Sequence, residues 1–145
     1  MTMHQRRGVA LLLALIALLL IGALVVATLF QVQSDARAAG DAMARRRAEV
    51  AAERVLRTTI AATSSAAMRA LPIGGVRTST DLTNGVTTIL TAVRTDSTLA
   101  WLTASASAPS VRGTARAQLG VSASIAPVGS APLQVIPGDA WTQIY

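Results

Sequence analysis

The 145-residue chain carries 13 basic residues, all of them arginine, against seven acidic residues, for a formal net charge of +6. It contains no cysteine and only one histidine, His4, which excludes a disulfide framework, thiolate chemistry, a Ser-His-Asp triad and a His- or Cys-ligated zinc site beyond the N-terminus. Two Trp, one Tyr and one Phe offer little surface for base stacking, which argues against nucleic-acid binding. We therefore expect no enzyme activity, no cofactor and no metal.

The N-terminal part is dominated by residues 9–30, which contain no charged side chain. At about 1.5 Å per residue, a helix of that length covers the roughly 30 Å hydrocarbon core of a bilayer, so a transmembrane helix is predicted. Arg6 and Arg7 precede it, and the positive-inside rule then keeps residues 1–8 in the cytoplasm. We expect a single-pass protein of the inner membrane with its C-terminal domain exported.

The junction at residues 5–11 joins a short basic leader ending in Gly8 to an apolar helix that begins at Val9. It resembles the class III leader of type IV pilins and pseudopilins. The resemblance implies that a prepilin peptidase cuts between Gly8 and Val9 and that the new N-terminus is methylated. An ordinary signal anchor with a chance glycine remains the alternative at this junction.

A second set of residues follows the apolar helix and is similar to the pattern of PilX-type minor pilins, which have an Ala-Gly-Asn-like step, an Arg-rich turn and an Ala-Ala-Glu stretch. The matching residues are Ala39, Gly40, Asp41, Arg47, Ala51, Ala52 and Glu53. The resemblance implies a structural subunit that helps to assemble, initiate or cap a type IV pilus, with other pilin subunits as partners through the hydrophobic helix.

The fifth position counted from Val9 departs from the pattern of major pilins, since it holds Leu13 where they carry glutamate. The departure favours a minor pilin. A pseudopilin of a type II secretion-like system, a DNA-binding filament subunit using Arg94, Arg112 and Arg116, and a plain membrane-anchored protein remain alternatives.

Residues 31–71 are predicted to continue the helix outside the membrane, because small and apolar residues recur there at intervals of three and four residues. Arg45 with Glu49, and Glu53 with Arg57, stand four apart and form expected ion pairs. Gly40 is either a point of bending or a site of tight packing. Pro72 is expected to end the helix.

Residues 72–145 are predicted to form a small antiparallel β domain of three to four strands packed on this helix, which gives an α+β, pilin-like fold. Asn84-Gly85 predicts a two-residue hairpin, residues 109–113 a loop, and the alternation over 114–125 a half-buried strand. Trp101 and Trp141 are interpreted as packing residues. The tail from Pro127 is predicted to be a loop with at most one short strand.

Overall fold

The computed structural model describes residues 3–136 and 142–143, and side chains within 11–136. The elements are α1 (Met3–Ala62), α2 (Ser65–Arg69), β1 (Val76–Thr83), β2 (Val86–Arg94), β3 (Leu99–Ser110), β4 (Gly113–Ser124), β5 (Gln134–Val135) and β6 (Thr142–Gln143). The chain divides into two compact units, Met1–Ala39 and Gly40–Tyr145. The predicted α+β class, a long N-terminal helix with an antiparallel sheet, is confirmed.

The first unit consists of the N-terminal part of α1. Every side chain from residue 11 to residue 39 is exposed, although the segment is rich in leucine, isoleucine and valine. Within the described residues, α1 is the one helix that is long and apolar enough to cross a membrane. The single-pass anchor predicted from the sequence is compatible with this helix.

In the second unit α1 ends at Ala62, nine residues before the end predicted from Pro72. The hydroxyl residues at 63–65 cause the difference, since short polar side chains compete for backbone hydrogen bonds. The Ser64 hydroxyl accepts from the N–H of Ala67 and caps the short α2. Ser65 N–H donates to the carbonyl of Ala131, a bond with a remote segment that a continuous helix would forbid.

The sheet has the order β1-β2-β3-β4-β5, with β6 also paired to β4, and all these pairs are antiparallel. Asn84 and Gly85 both have positive φ (53° and 74°) at the first reversal, as the predicted two-residue hairpin requires. Four long strands agree with the predicted number. The tail adds two strands of two residues each, one more than predicted.

The loop predicted at 109–113 shrinks to Val111 and Arg112, because Pro109 lies inside β3 opposite Thr114. A strand tolerates proline where no ladder hydrogen bond is lost. Pairing of β3 with β2 stops at Ser107, so the imide nitrogen of Pro109 lies beyond the end of β2. No ladder hydrogen bond from β3 to β2 is therefore lost there.

The core lies between the C-terminal half of α1 and one face of the sheet. On the helix it is a stripe at every fourth position, made of Ala44, Ala48, Ala52, Leu56 and Ile60. Facing it, the buried strand residues are also mostly small: Ala92, Ala100, Ala104, Ala106, Ala108 and Ala123, with Leu90, Leu102 and Val121. Small side chains on both sides let the helix backbone approach the sheet closely, so the packing depends on the absence of larger groups.

Candidate functional site

The residues predicted for processing and topology all lie in α1. Arg6, Arg7, Gly8 and Val9 belong to its first turns, and their side chains lie outside the described part of the chain. Leu13, at the position where major pilins carry glutamate, is 61% exposed on the helix surface. The helical backbone runs through the predicted cleavage point without a break.

The apolar side chains of the first unit form an extended exposed surface, which no other part of that unit covers. Its bulky side chains are between 44% (Ile16) and 73% (Leu11) exposed. A shallow concavity interrupts it at Gly22, between Leu18 and Val26, and a Cβ at Gly22 would meet no atom within 4 Å. Exposed apolar surface of this extent marks contact with lipid or with another protein.

Two residues of the Ala39-Gly40-Asp41 segment, Gly40 and Asp41, contact the β3–β4 turn. A Cβ at Gly40 would lie 3.0 Å from the Cγ2 atom of Val111, so the absence of a side chain lets the turn approach the helix. The next residue, Asp41, pairs with Arg112 of the same turn at 3.5 Å, while its Oδ1 atom is buried without a partner among the described residues. Of the two alternatives for Gly40, the contact supports tight packing.

The remaining residues of the matching segment have different surroundings. Ala52 is fully buried in the core stripe, and Ala51 is partly buried beside it. Glu53 pairs with Arg57 as predicted. The other predicted pair is wrong in its partner, because Glu49 contacts Arg46 at 3.2 Å, three residues away, rather than Arg45.

Arg47 lines a groove of about 920 Å³ between α1 and the hairpin of β1 and β2. The helix supplies Arg47, Val50 and Arg54, and the hairpin supplies Ser79 and Asp81. Neither Arg47 nor Arg54 has an acidic partner among the described residues. The groove therefore combines the guanidinium groups of the helix with a hydroxyl and a carboxylate group from the hairpin.

Three arginines were candidates for phosphate contacts in the DNA-binding alternative. Arg94 instead donates to the carbonyls of Arg69 (2.8 Å) and Leu71 (2.6 Å), and Arg112 pairs with Asp41. Of the three, only Arg116 is exposed without a hydrogen bond or ion pair among the described residues. Two of the three arginines are therefore engaged in contacts within the chain.

Two exposed carboxylates, Asp81 in β1 and Asp96 in the bend between β2 and β3, have local hydrogen-bond partners. Asp81 accepts a hydrogen bond from the Thr83 hydroxyl at 2.8 Å, and Asp96 accepts one from the N–H of Ser97 at 2.5 Å. Within the described residues, no three His, Cys, Asp or Glu side chains come together as a metal-binding group. Trp101 is half-buried on the sheet face away from the helix, and Trp141 lies outside the described residues.

Sequence reasoning missed two features of the second unit. Arg69 donates hydrogen bonds to the carbonyls of Ala126 and Gly129 and so holds the start of the tail in place. No local sequence pattern predicts this role. Strand β1 is exposed at all eight positions. Its sequence did carry a signal, since VRTSTDLT lacks the apolar alternation that marks a half-buried strand.

No protein-family model, curated protein or solved structure matches the chain.

Proposed function

We propose that the chain is a PilX-like minor pilin: a single-pass inner-membrane subunit, trimmed after Gly8, that helps to assemble, initiate or cap a type IV pilus. The observation that carries the proposal is the division of one helix into two kinds of surface. Residues 11–30 are uncharged and exposed, whereas Gly40–Ala62 packs on a sheet through a buried stripe of three alanines, a leucine and an isoleucine. A subunit that inserts in lipid and then joins a helical bundle needs the first surface, and a compact exported domain needs the second.

The concavity at Gly22 supports the same proposal. Helices associate in lipid by close packing at small residues, since hydrophobic burial gives no driving force there. Gly22 has open space where a side chain would stand, with Ala23 and Ala27 beside it. Neighbouring hydrophobic helices could approach closely at this point.

Arginines flank both ends of the apolar segment, and they bear on its orientation. Arg6 and Arg7 precede it, while Arg37 and the arginines at 45–47 follow it. The positive-inside rule applies to short flanking loops of up to about 60 residues, and longer domains are translocated largely regardless of charge. Because the chain after the segment is much longer than that, the two leader arginines favour a cytoplasmic N-terminus.

Trimming tests both the family and the orientation. When the full chain is produced with an active prepilin peptidase, we expect mass spectrometry of the membrane-extracted protein to give a mature chain that starts at Val9. Gly8→Val should leave the leader in place, because the peptidase requires the small residue before the cut. Gly22→Val is the matched control: it makes the same substitution in the same helix, and trimming should be normal.

An intact Met1 start in the unmodified chain, with a known prepilin trimmed in the same cells, would reject the proposal. Trimming that continued unchanged in the Gly8→Val variant would also reject it, since the cut would then not be that of a prepilin peptidase.

A further inference from the structure

Strand β1 is an open edge of the sheet. All eight of its residues are exposed, and among the described residues it pairs only with β2. An open edge presents backbone N–H and C=O groups that can pair with another strand. The side chains of β1 favour one partner strand over others.

The register fixes which residues present these groups. Arg94 N–H donates to the carbonyl of Gly75 at 3.1 Å, so residue 75 bonds toward β2. Backbone bonding direction alternates along an antiparallel strand, and the odd-numbered residues of β1 therefore bond to β2. The groups that point away from the sheet belong to Val76, Thr78, Thr80 and Leu82.

We propose that β1 is a self-pairing edge, through which two copies of the chain join their sheets in antiparallel orientation about Ser79. In that register Val76 lies opposite Leu82, Arg77 opposite Asp81, and Thr78 opposite Thr80, in both directions across the two-fold axis. The outward-bonding residues meet one another, which allows about eight backbone hydrogen bonds. Apolar, charged and hydroxyl side chains each meet a favourable partner.

The charged residues select this register and this partner. Arg77 and Asp81 fall in non-hydrogen-bonded pairs, where opposite side chains are closest. The smallest slip that keeps the backbone bonds is two residues, and it places Arg77 opposite Ser79 or Thr83 and Asp81 opposite Ser79, or beyond the strand. A strand that lacks an acidic residue opposite Arg77 and a basic residue opposite Asp81 would not form these two ion pairs, which disfavours it.

The two-fold axis is perpendicular to the joined sheet, so the Gly40–Ala62 segments of the two copies run in opposite directions. Copies whose segments run in the same direction cannot make this contact. Self-pairing is thus a different contact from the association of apolar helices proposed above: two copies whose helices associate in the same direction cannot also self-pair, and self-pairing does not rest on that function. Seven residues a side is well below the about 20 to 30 of a stable interface, so the pair is weak and exchanges readily.

A single cysteine can trap such a pair, because the chain has no cysteine of its own. In the proposed register the two Ser79 Cα atoms are about 4.5 Å apart, within the range of a disulfide. The Thr78 Cα atoms of the two copies are about 8 to 9 Å apart, beyond that range. With the full-length chain in detergent under mild oxidation, we expect Ser79→Cys to give a disulfide-linked dimer and Thr78→Cys to remain monomeric.

A charge exchange tests the register within the Ser79→Cys chain. Adding Arg77→Asp should abolish the dimer, because two carboxylates then face each other across each pair. Adding Asp81→Arg as well should restore it, since the opposite charges are exchanged in place. Both positions are exposed in the single chain, so the fold is expected to tolerate the changes.

Absence of the Ser79→Cys dimer, or equal trapping of Ser79→Cys and Thr78→Cys, would overturn the proposal. Failure of the exchanged pair to restore the dimer that Arg77→Asp removes would also overturn it, because any charge change at this edge would then have the same effect.

Discussion

The two halves of α1 treat apolar residues in opposite ways. In the first unit Leu18 is 72% exposed, as are its bulky neighbours to a similar degree, whereas in the second unit Leu56 and the alanines at 48 and 52 are fully buried. In water the larger side chain gains more from burial, by about 0.8 kcal/mol for each CH₂ group. Water alone does not explain a helix that buries alanine and exposes leucine. The second half of α1 is covered by the sheet of its own chain, whereas the apolar side chains of the first half have no such cover.

The largest expected effect is on the stability of the second unit, when a leucine of each half of α1 is replaced by alanine in turn. Leu56→Ala should destabilise the second unit by about 2 to 5 kcal/mol, because it empties a fully buried site. Leu18→Ala should leave the stability of that unit unchanged. Urea unfolding of the full chain in detergent, followed by tryptophan fluorescence, measures this directly, since Trp101 lies in the second unit and no tryptophan precedes residue 40.

Equal losses in the two variants would mean that the apolar half contributes to the stability of the second unit, and the comparison between the halves would fail. A loss in neither variant would mean that Leu56 is not in a packed core.

A charged residue sharpens the same comparison, with an effect on insertion rather than folding. Leu19 (66% exposed) and Val50 (48% exposed) are both apolar residues on the surface of α1. Arginine near the centre of a membrane span costs about 2.5 to 3.5 kcal/mol of insertion free energy, whereas on a helix face in water it costs little. Leu19→Arg should therefore reduce the fraction of chain recovered in carbonate-washed membranes, and Val50→Arg should not.

If both variants remained fully in the membrane fraction, residues 9–30 would not be the membrane-spanning segment. If both were lost equally, the variants would be failing for a reason unrelated to the bilayer.

The sequence predicted the parts of the fold that local patterns determine. The alternation over residues 114–125 gave β4, and Asn84-Gly85 gave the first hairpin, since both depend on neighbours within a few residues. The end of α1 was predicted wrongly because it depends on bonds between residues 63–65 and the tail near Ala131. Such long-range partners leave no periodic trace in the sequence.

The candidate site divides in the same way. The apolar segment is evident from composition, whereas the contact of Gly40 with Val111 needs the β3–β4 turn to be placed against the helix. Likewise, the matching residues Ala51 and Ala52 are adjacent in sequence, but only Ala52 is fully buried in the core stripe.

The smallest expected effect lies at Gly40, where the second unit begins. Gly40→Ala should gain up to about 1 kcal/mol from helix propensity, but its new methyl group must displace the Cγ2 atom of Val111 from 3.0 Å. In the natural chain the two effects should largely cancel. In a Val111→Ala background the clash is removed, so the same substitution should stabilise the second unit by about 1 kcal/mol. A double-mutant cycle from urea unfolding measures the difference, and an equal gain in both backgrounds would mean that Gly40 is not a packing site.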